Sequence, residues 1–201
     1  MLPYFRKIVN DDTNEEGWSP LMWSVSQRKA DLRIVKLMYD NGCELLQRKR
    51  DDGLNALHVA ASTNDVQLLD FIVSNCETDR IRSVINQKGI NGWTPAHLAC
   101  LMGNFDSVNY LIECGADLYE RNDDKVAAIE EIVRSDHIDL LKCVYRPRKA
   151  NLYEAGVYPL IHHASGIEES RCLQLLLTLG TNPNEPSNEI DQATPLHFAV
   201  V

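Results

Sequence analysis

"NGWTPAHLACLMGNFDSVNYLIECGAD", residues 91–117, decides the fold. Thr94 supplies an N-cap oxygen, and Pro95 follows with its φ already helical at the first position, so a helix starts there. It runs on the small residues Ala96, Ala99 and Cys100, which permit close approach, and stops near Gly103. Phe105, Val108, Leu111 and Ile112 then recur at helical spacing and predict a second helix. Gly115 ends it in a left-handed cap, and the polar "ADLYERNDDK" leads to the next turn. One such helix pair cannot bury its own apolar face, whereas a stack of pairs can.

The chain repeats the pattern. "GWSPLMWSV" begins at Gly17, "GLNALHVAA" at Gly53, "GWTPAHLAC" at Gly92, "GVYPLIHHA" at Gly156 and "ATPLHFAV" at Ala193, with a degenerate copy, "KVAAIEEIV", at Lys125. The proline position falls at Pro20, Ala56, Pro95, Ala128, Pro159 and Pro195, giving steps of 36, 39, 33, 31 and 36 residues. The underlying unit is about 33 residues. Copy four puts Lys125 at the turn glycine, Ala127-Ala128 at Thr-Pro and Glu130 at the histidine, which predicts a distorted first helix. Copy one carries extra residues in "SVSQRKADLRIV", and copy five has a one-residue ambiguity at His162 and His163. The long link between copies two and three holds "ETDRIRSVINQK", where Ile81, Val84 and Ile85 predict an added helical turn.

Turn, "TPAHLA", helix, glycine, helix, "GAD" and hairpin together resemble the ankyrin repeat, from about residue 14 to the end. The resemblance implies an all-α ankyrin-repeat solenoid of stacked helix-turn-helix units joined by hairpin loops. The expected units are 14–49, 50–88, 89–121, 122–152, 153–188 and a partial 189–201, in a single domain spanning 1–201. A solenoid needs polar end units. "PYFRKIV" within residues 1–13 reads instead as the second helix of a preceding unit, and Leu196 and Phe198 await a partner helix, so a segment of a longer protein is expected. The resemblance also assigns the turn residues Pro20, His58, Pro95, His97, Pro195 and His197 a structural role, the histidines bonding loop backbone between adjacent units.

Composition excludes several classes of function. With 44% hydrophobic and 24% charged residues the chain is ordinary for a folded soluble protein, it holds no membrane-length apolar run, and the opening "MLPYFRKIVNDD" lacks the long apolar stretch of a secretory signal. Six scattered cysteines without a CxxC pair read as reduced thiols, consistent with a cytoplasmic or nuclear location. A formal charge of -9 disfavours nucleic acid and favours a protein partner with basic and apolar character.

The sequence offers no candidate enzyme site or cofactor motif. His162-His163 with Glu168 and Glu169 lacks metal-ligand spacing, and no phosphate-cradling glycine loop is present. The pairs Glu130-Glu131 and Glu168-Glu169 read as solvated helix surface, and the basic "RKR" at 48–50 and "RPRK" at 146–149 as solvated turns. The resemblance implies binding on the concave face of hairpins and first helices. The residue after the turn glycine is Trp18, Leu54, Trp93, Val126 and Val157 in successive units, an apolar line with Leu101 and Met102 beside it. Acidic residues flank it at Glu15-Glu16, Asp51, Asp52, Asp123 and Asp124. Aromatic anchors inside a charged rim are the usual anatomy of a protein-binding patch. A regulatory or substrate-docking segment of a larger enzyme, channel or ubiquitin-ligase adaptor is the alternative. A small-ligand or nucleotide sensor is a third reading, with Arg134 as its one candidate cation on the inner face.

Overall fold

The structure, a computed structural model, describes residues 14–15, 17–26, 30–48, 52–145, 160–187 and 192–199. Helices come in pairs. The first pair is α1 (Pro20–Ser26) and α2 (Leu32–Asp40), and the second is α3 (Ala56–Ser62) and α4 (Val66–Ser74). A 3-10 turn (Thr78–Arg80) and the short α5 (Ile81–Ile85) follow. Then come α6 (Pro95–Leu101) with α7 (Phe105–Glu113), α8 (Ala128–Arg134) with α9 (Ile138–Val144), α10 (Leu160–Ser165) with α11 (Arg171–Thr178), and α12 (Pro195–Ala199). Among the described residues there is no strand, only a bridge between Arg121 and Ala127.

The first helices α1, α3, α6, α8, α10 and α12 pack each on the next, and each second helix packs on its own first helix. This row is possible because its helices are built on small residues: Ala56, Ala60, Ala61, Ala96, Ala99, Ala127, Ala128 and Ala164 are all fully buried. Larger side chains fill the space behind them, with Leu57, Leu69, Ile72, Leu111, Ile129, Ile132 and Leu141 inaccessible to water. Each such burial contributes roughly 1.5–3 kcal/mol. The added helical turn predicted in the long link is present as α5. Val84 and Ile85 are buried, and Asn86 ties the segment to the next unit by accepting from Asp117 N at 2.9 Å and donating to Gly115 O at 3.2 Å.

Two expectations need correction. The first helix of unit four is not distorted: α8 has seven residues, as α3 and α6 do, although no side chain caps it. Burial of Ala128, Ile129, Ile132 and Val133 against its neighbours holds the helix that the missing cap does not. Lys125 enters the turn at φ 64, the conformation that Gly53 and Gly92 take at φ 65 and 73 in the preceding hairpins. The second correction concerns Glu130 and Glu131, which are buried at 2% and 5% exposure rather than solvated. They lie on α8 between α6 and α10, so neighbours on both sides cover them. Glu168 and Glu169 are exposed, as read. "RPRK", "PYFRKIV", Pro159, Val157, Asp51 and most of "RKR" lie outside the described residues.

Candidate functional site

Each hairpin is set by its turn and locked to the next by a histidine. In unit three, Trp93 O accepts from Gly89 N at 2.7 Å while Gly92 turns the chain with positive φ. Only glycine fits there. A Cβ on Gly92 would lie 2.7 Å from Asp123 Oδ1 and 2.9 Å from Asp123 N, because Asp123 N donates to Asn91 O across the two hairpins. His97 is wholly buried; its Nδ1 accepts from Thr94 N and its Nε2 donates to Val126 O at 3.0 Å. His58 repeats this with Asn55 N and Trp93 O at 3.2 Å. His162 reaches Ala193 O at 3.1 Å, which settles the ambiguity in copy five: His162 is the turn histidine, and Leu160 takes the proline position. Burial outweighs the hydrogen bond to Trp93 and pushes the His58 imidazole down to about 4, and burial lowers His97 as well. Both are neutral at pH 7, as donors to a carbonyl. His197 bonds its own turn through Thr194 N. Pro95 and Pro195 are buried, and Pro20 is exposed at the start of α1 behind Ser19, whose Oγ accepts from Met22 N.

A second ladder, invisible in the sequence reading, runs through the loops that join first to second helices and ties each to a neighbouring unit. Asn104 Nδ2 donates to Ala61 O and Ser62 O at 2.8 Å, and His137 Nε2 donates to Leu101 O at 2.9 Å. Asp136 Oδ1 accepts from Cys172 N at 2.8 Å, and its Oδ2 from Arg171 Nε at 3.0 Å. Partial burial alone would raise Asp136, but these bonds outweigh it and hold the carboxyl at about 2. The only sequence signal was a polar residue just after each first helix.

The apolar line runs along the hairpins as expected, but part of it is spent on packing. Trp18, Leu54, Trp93 and Val126 are half-buried. Leu54 lies against Gly89, and the Trp93 ring is tilted over His97 with centroids 5.7 Å apart. Exposure is greater along the first helices: Met102, just past the end of α6, is 55% exposed beside half-buried Leu101. Trp23, 52% exposed on α1, was missed; it takes the helical position of Val59 and Leu98 in the next two units, and that register was the available signal. Of the acidic rim, Asp123 and Asp124 are exposed, whereas Asp52 is half-buried with Oδ1 accepting from Leu54 N. Arg134 does not stand apart as a ligand cation, since its Nη1 lies 3.5 Å from Glu131 Oε1. Among the described residues no cluster of His, Cys, Asp or Glu is arranged to hold a metal, and no helix is long and apolar enough to cross a membrane. All six cysteines are free thiols.

Comparison with known proteins places this geometry. The chain is 38% identical over 97 residues to human protein phosphatase 1 regulatory subunit 27, covering 48% of this chain and 59% of that protein. The mouse protein of the same name is 38% identical over 72 residues, which cover 36% of this chain and 43% of its own. The matches thus span about half the length of these relatives. The crystal structure of the human ASB11 ankyrin repeat domain superposes with a TM-score of 0.67 at 22% identity, covering 90% of this chain and 77% of that one, and shows the shared fold. The family model for ankyrin repeats matches three copies over residues 27–122. Residues 27–122 thus carry ankyrin repeats, and helix pairs of the same kind continue from α8 through α11.

Proposed function

We propose that this chain is a non-catalytic binding module that holds a protein partner on the face formed by its hairpins and first helices. Ankyrin repeats are protein-interaction modules, and the observation that carries the reading here is the exposure of Met102 and Trp23 on that face. Large apolar side chains left in water beside a half-buried aromatic line and exposed carboxylates match the core and rim of a binding patch. The reduced thiols suit a cytoplasmic setting.

The test is a partner isolated by pull-down and then measured with purified proteins. A central aromatic truncated to alanine typically costs ~2 kcal/mol or more, roughly thirtyfold in affinity. Trp93→Ala with Met102→Ala is therefore expected to weaken capture at least that much, with helical circular dichroism retained. Undiminished binding by the folded double variant would discard this face. The search would then move to the cleft of about 600 Å³ on the second-helix side, lined by Arg82 of α5 with Ile112, Glu113, Tyr119 and Val144. A second reading, a regulatory or docking segment of a larger assembly, draws on the similarity to protein phosphatase 1 regulatory subunit 27.

A further inference from the structure

We propose that Glu130 and Glu131 form an acidic slot between units four and five that receives one arginine side chain of the protein partner. The proposal rests on the binding face above and adds the chemistry of one anchor.

The slot begins with a position released from its structural duty. His58, His97 and His162 each donate Nε2–H to the next hairpin's carbonyl. Glu130 holds the same place in unit four, and its carboxyl has no N–H to offer the next hairpin. Its side chain points to unit five, where Oε2 lies 3.3 Å from His163 Nε2 on α10. The other oxygen, Oε1, is buried and has no hydrogen-bond partner among the described residues. Glu131 stands beside it with its side chain 6% exposed, 3.5 Å from the half-exposed Arg134. Both contacts are longer than the roughly 2.7–2.9 Å of a charge-assisted hydrogen bond. From α6 the pair interacts with His97 and Cys100, which burial keeps neutral. Glu130 thus keeps unfilled acceptor capacity in a desolvated site that it shares with Glu131.

Native structures seldom leave such groups so, and a carboxylate that burial makes hard to ionise, as it does Glu131, marks a site built for something other than stability. Proximity of both glutamates to the start of α8 eases their burial through the helix dipole but supplies no bond to Oε1. What fits is a planar cation with several donors that sheds water readily. A guanidinium has five N–H groups in a fixed fork and is weakly hydrated, whereas an ammonium is a strongly hydrated point charge. Arg134 at the rim is half-exposed and would have to give way as the partner's side chain enters, and Leu98 and Leu101 on the neighbouring α6, with Met102 just past its end, provide apolar contact for the stem and flanking residues. The overall charge of -9 draws basic segments to the surface.

The probe is a displayed library of random dodecapeptides, selected on the full chain. Peptides recovered should carry arginine at one position, and their affinity, measured by fluorescence polarisation, should fall at least tenfold on the Glu130→Gln, Glu131→Gln double variant. Replacing that arginine by citrulline should cost as much on the parent and nothing further on the variant, the signature of a direct couple. Glutamine is nearly isosteric, and an unchanged or higher melting temperature confirms that the variant is folded. Peptides that lose affinity on Trp93→Ala, Met102→Ala but not on the glutamine variant would overturn the slot and leave the binding face standing. Peptides insensitive to both would overturn both. Coupling to lysine instead of arginine would refute the guanidinium assignment.

Discussion

Restoring the turn of unit four in two steps, Ala127→Thr and Glu130→His, should stabilise the solenoid. Thr94 occupies the position equivalent to Ala127, is equally buried, and caps α6 by accepting from His97 N; a threonine at 127 has the same room and regains a cap worth ~1 kcal/mol. Histidine at 130 removes a buried carboxylate oxygen without a partner, a relief of roughly 1–3 kcal/mol. It also restores a donor toward the next hairpin, as in the three histidines at 3.0–3.2 Å, for about 1 kcal/mol. Against this stands the lost contact of Glu130 with the partly exposed His163 at 3.3 Å, whose removal costs on the order of 1–2 kcal/mol. The net is about 2 kcal/mol. At roughly 2–4 °C per kcal/mol for a chain of this size, the melting temperature should rise by about 4–8 °C. Thermal melts followed by circular dichroism give the global value, and amide exchange over α8 and α10 locates the gain, since repeat arrays need not unfold in one step. A double variant that keeps its helices but melts at or below the parent would refute the reasoning, and would mean that the glutamate stabilises this joint better than the repeat's own histidine.

Three further outcomes follow from the ladders and turns. His58 is neutral when folded and titrates at about 4, against about 6.5 unfolded, so its contribution is complete above pH 6.5 and is lost as pH falls toward 4. That loss is at most about 3 kcal/mol, and His58→Gln should flatten the fall of the urea midpoint between pH 6.5 and 4; an unchanged slope would contradict it. Glu131, raised by burial, acts oppositely and is relieved on acidification, so the difference between parent and variant is the quantity to compare. Gly103→Ala should destabilise by about 1–3 kcal/mol, because its Cβ would stand 2.7 Å from the His137 ring that bonds Leu101 O, and denaturant unfolding reads this directly. Lys125→Gly, which removes a left-handed cost of about 1–2 kcal/mol and adds about 0.5–1 kcal/mol of chain entropy, should raise the melting temperature by a degree or two.

Elements that repeat were legible, because each copy of the turn reports on the others. Thr94-Pro95, Gly103 and Gly115 bound two helices whose limits the structure reproduces, and Ile81, Val84 and Ile85 disclosed α5 before any coordinates. Legibility failed where a side chain's environment is made by a neighbouring unit rather than by its own helix. Trp23 reads as one more apolar residue of an amphipathic helix, and only its place at the first-helix row leaves it in water. Asn104 and His137 look like loop polarity, yet each reaches a carbonyl about forty residues away in sequence.

Glu130 and Glu131 show why that failure bears on function. As letters they are adjacent charges at the start of a helix, the common pattern of a solvated first turn. Stacking alters their chemistry: α6 and α10 remove the water, His163 and Arg134 approach without closing hydrogen bonds, and a position that elsewhere ties hairpins is left holding an acceptor. A degenerate repeat retaining a regular helix is therefore a different object from a decayed one. Its packing residues Ala128, Ile129, Ile132 and Val133 preserve the stack, while the polar substitutions fall on the two positions directed at the groove and at the next unit. If the restored turn gains stability and loses the arginine-dependent peptides together, stability and recognition compete at that joint, which is the relation expected when a binding site is built from a structural position.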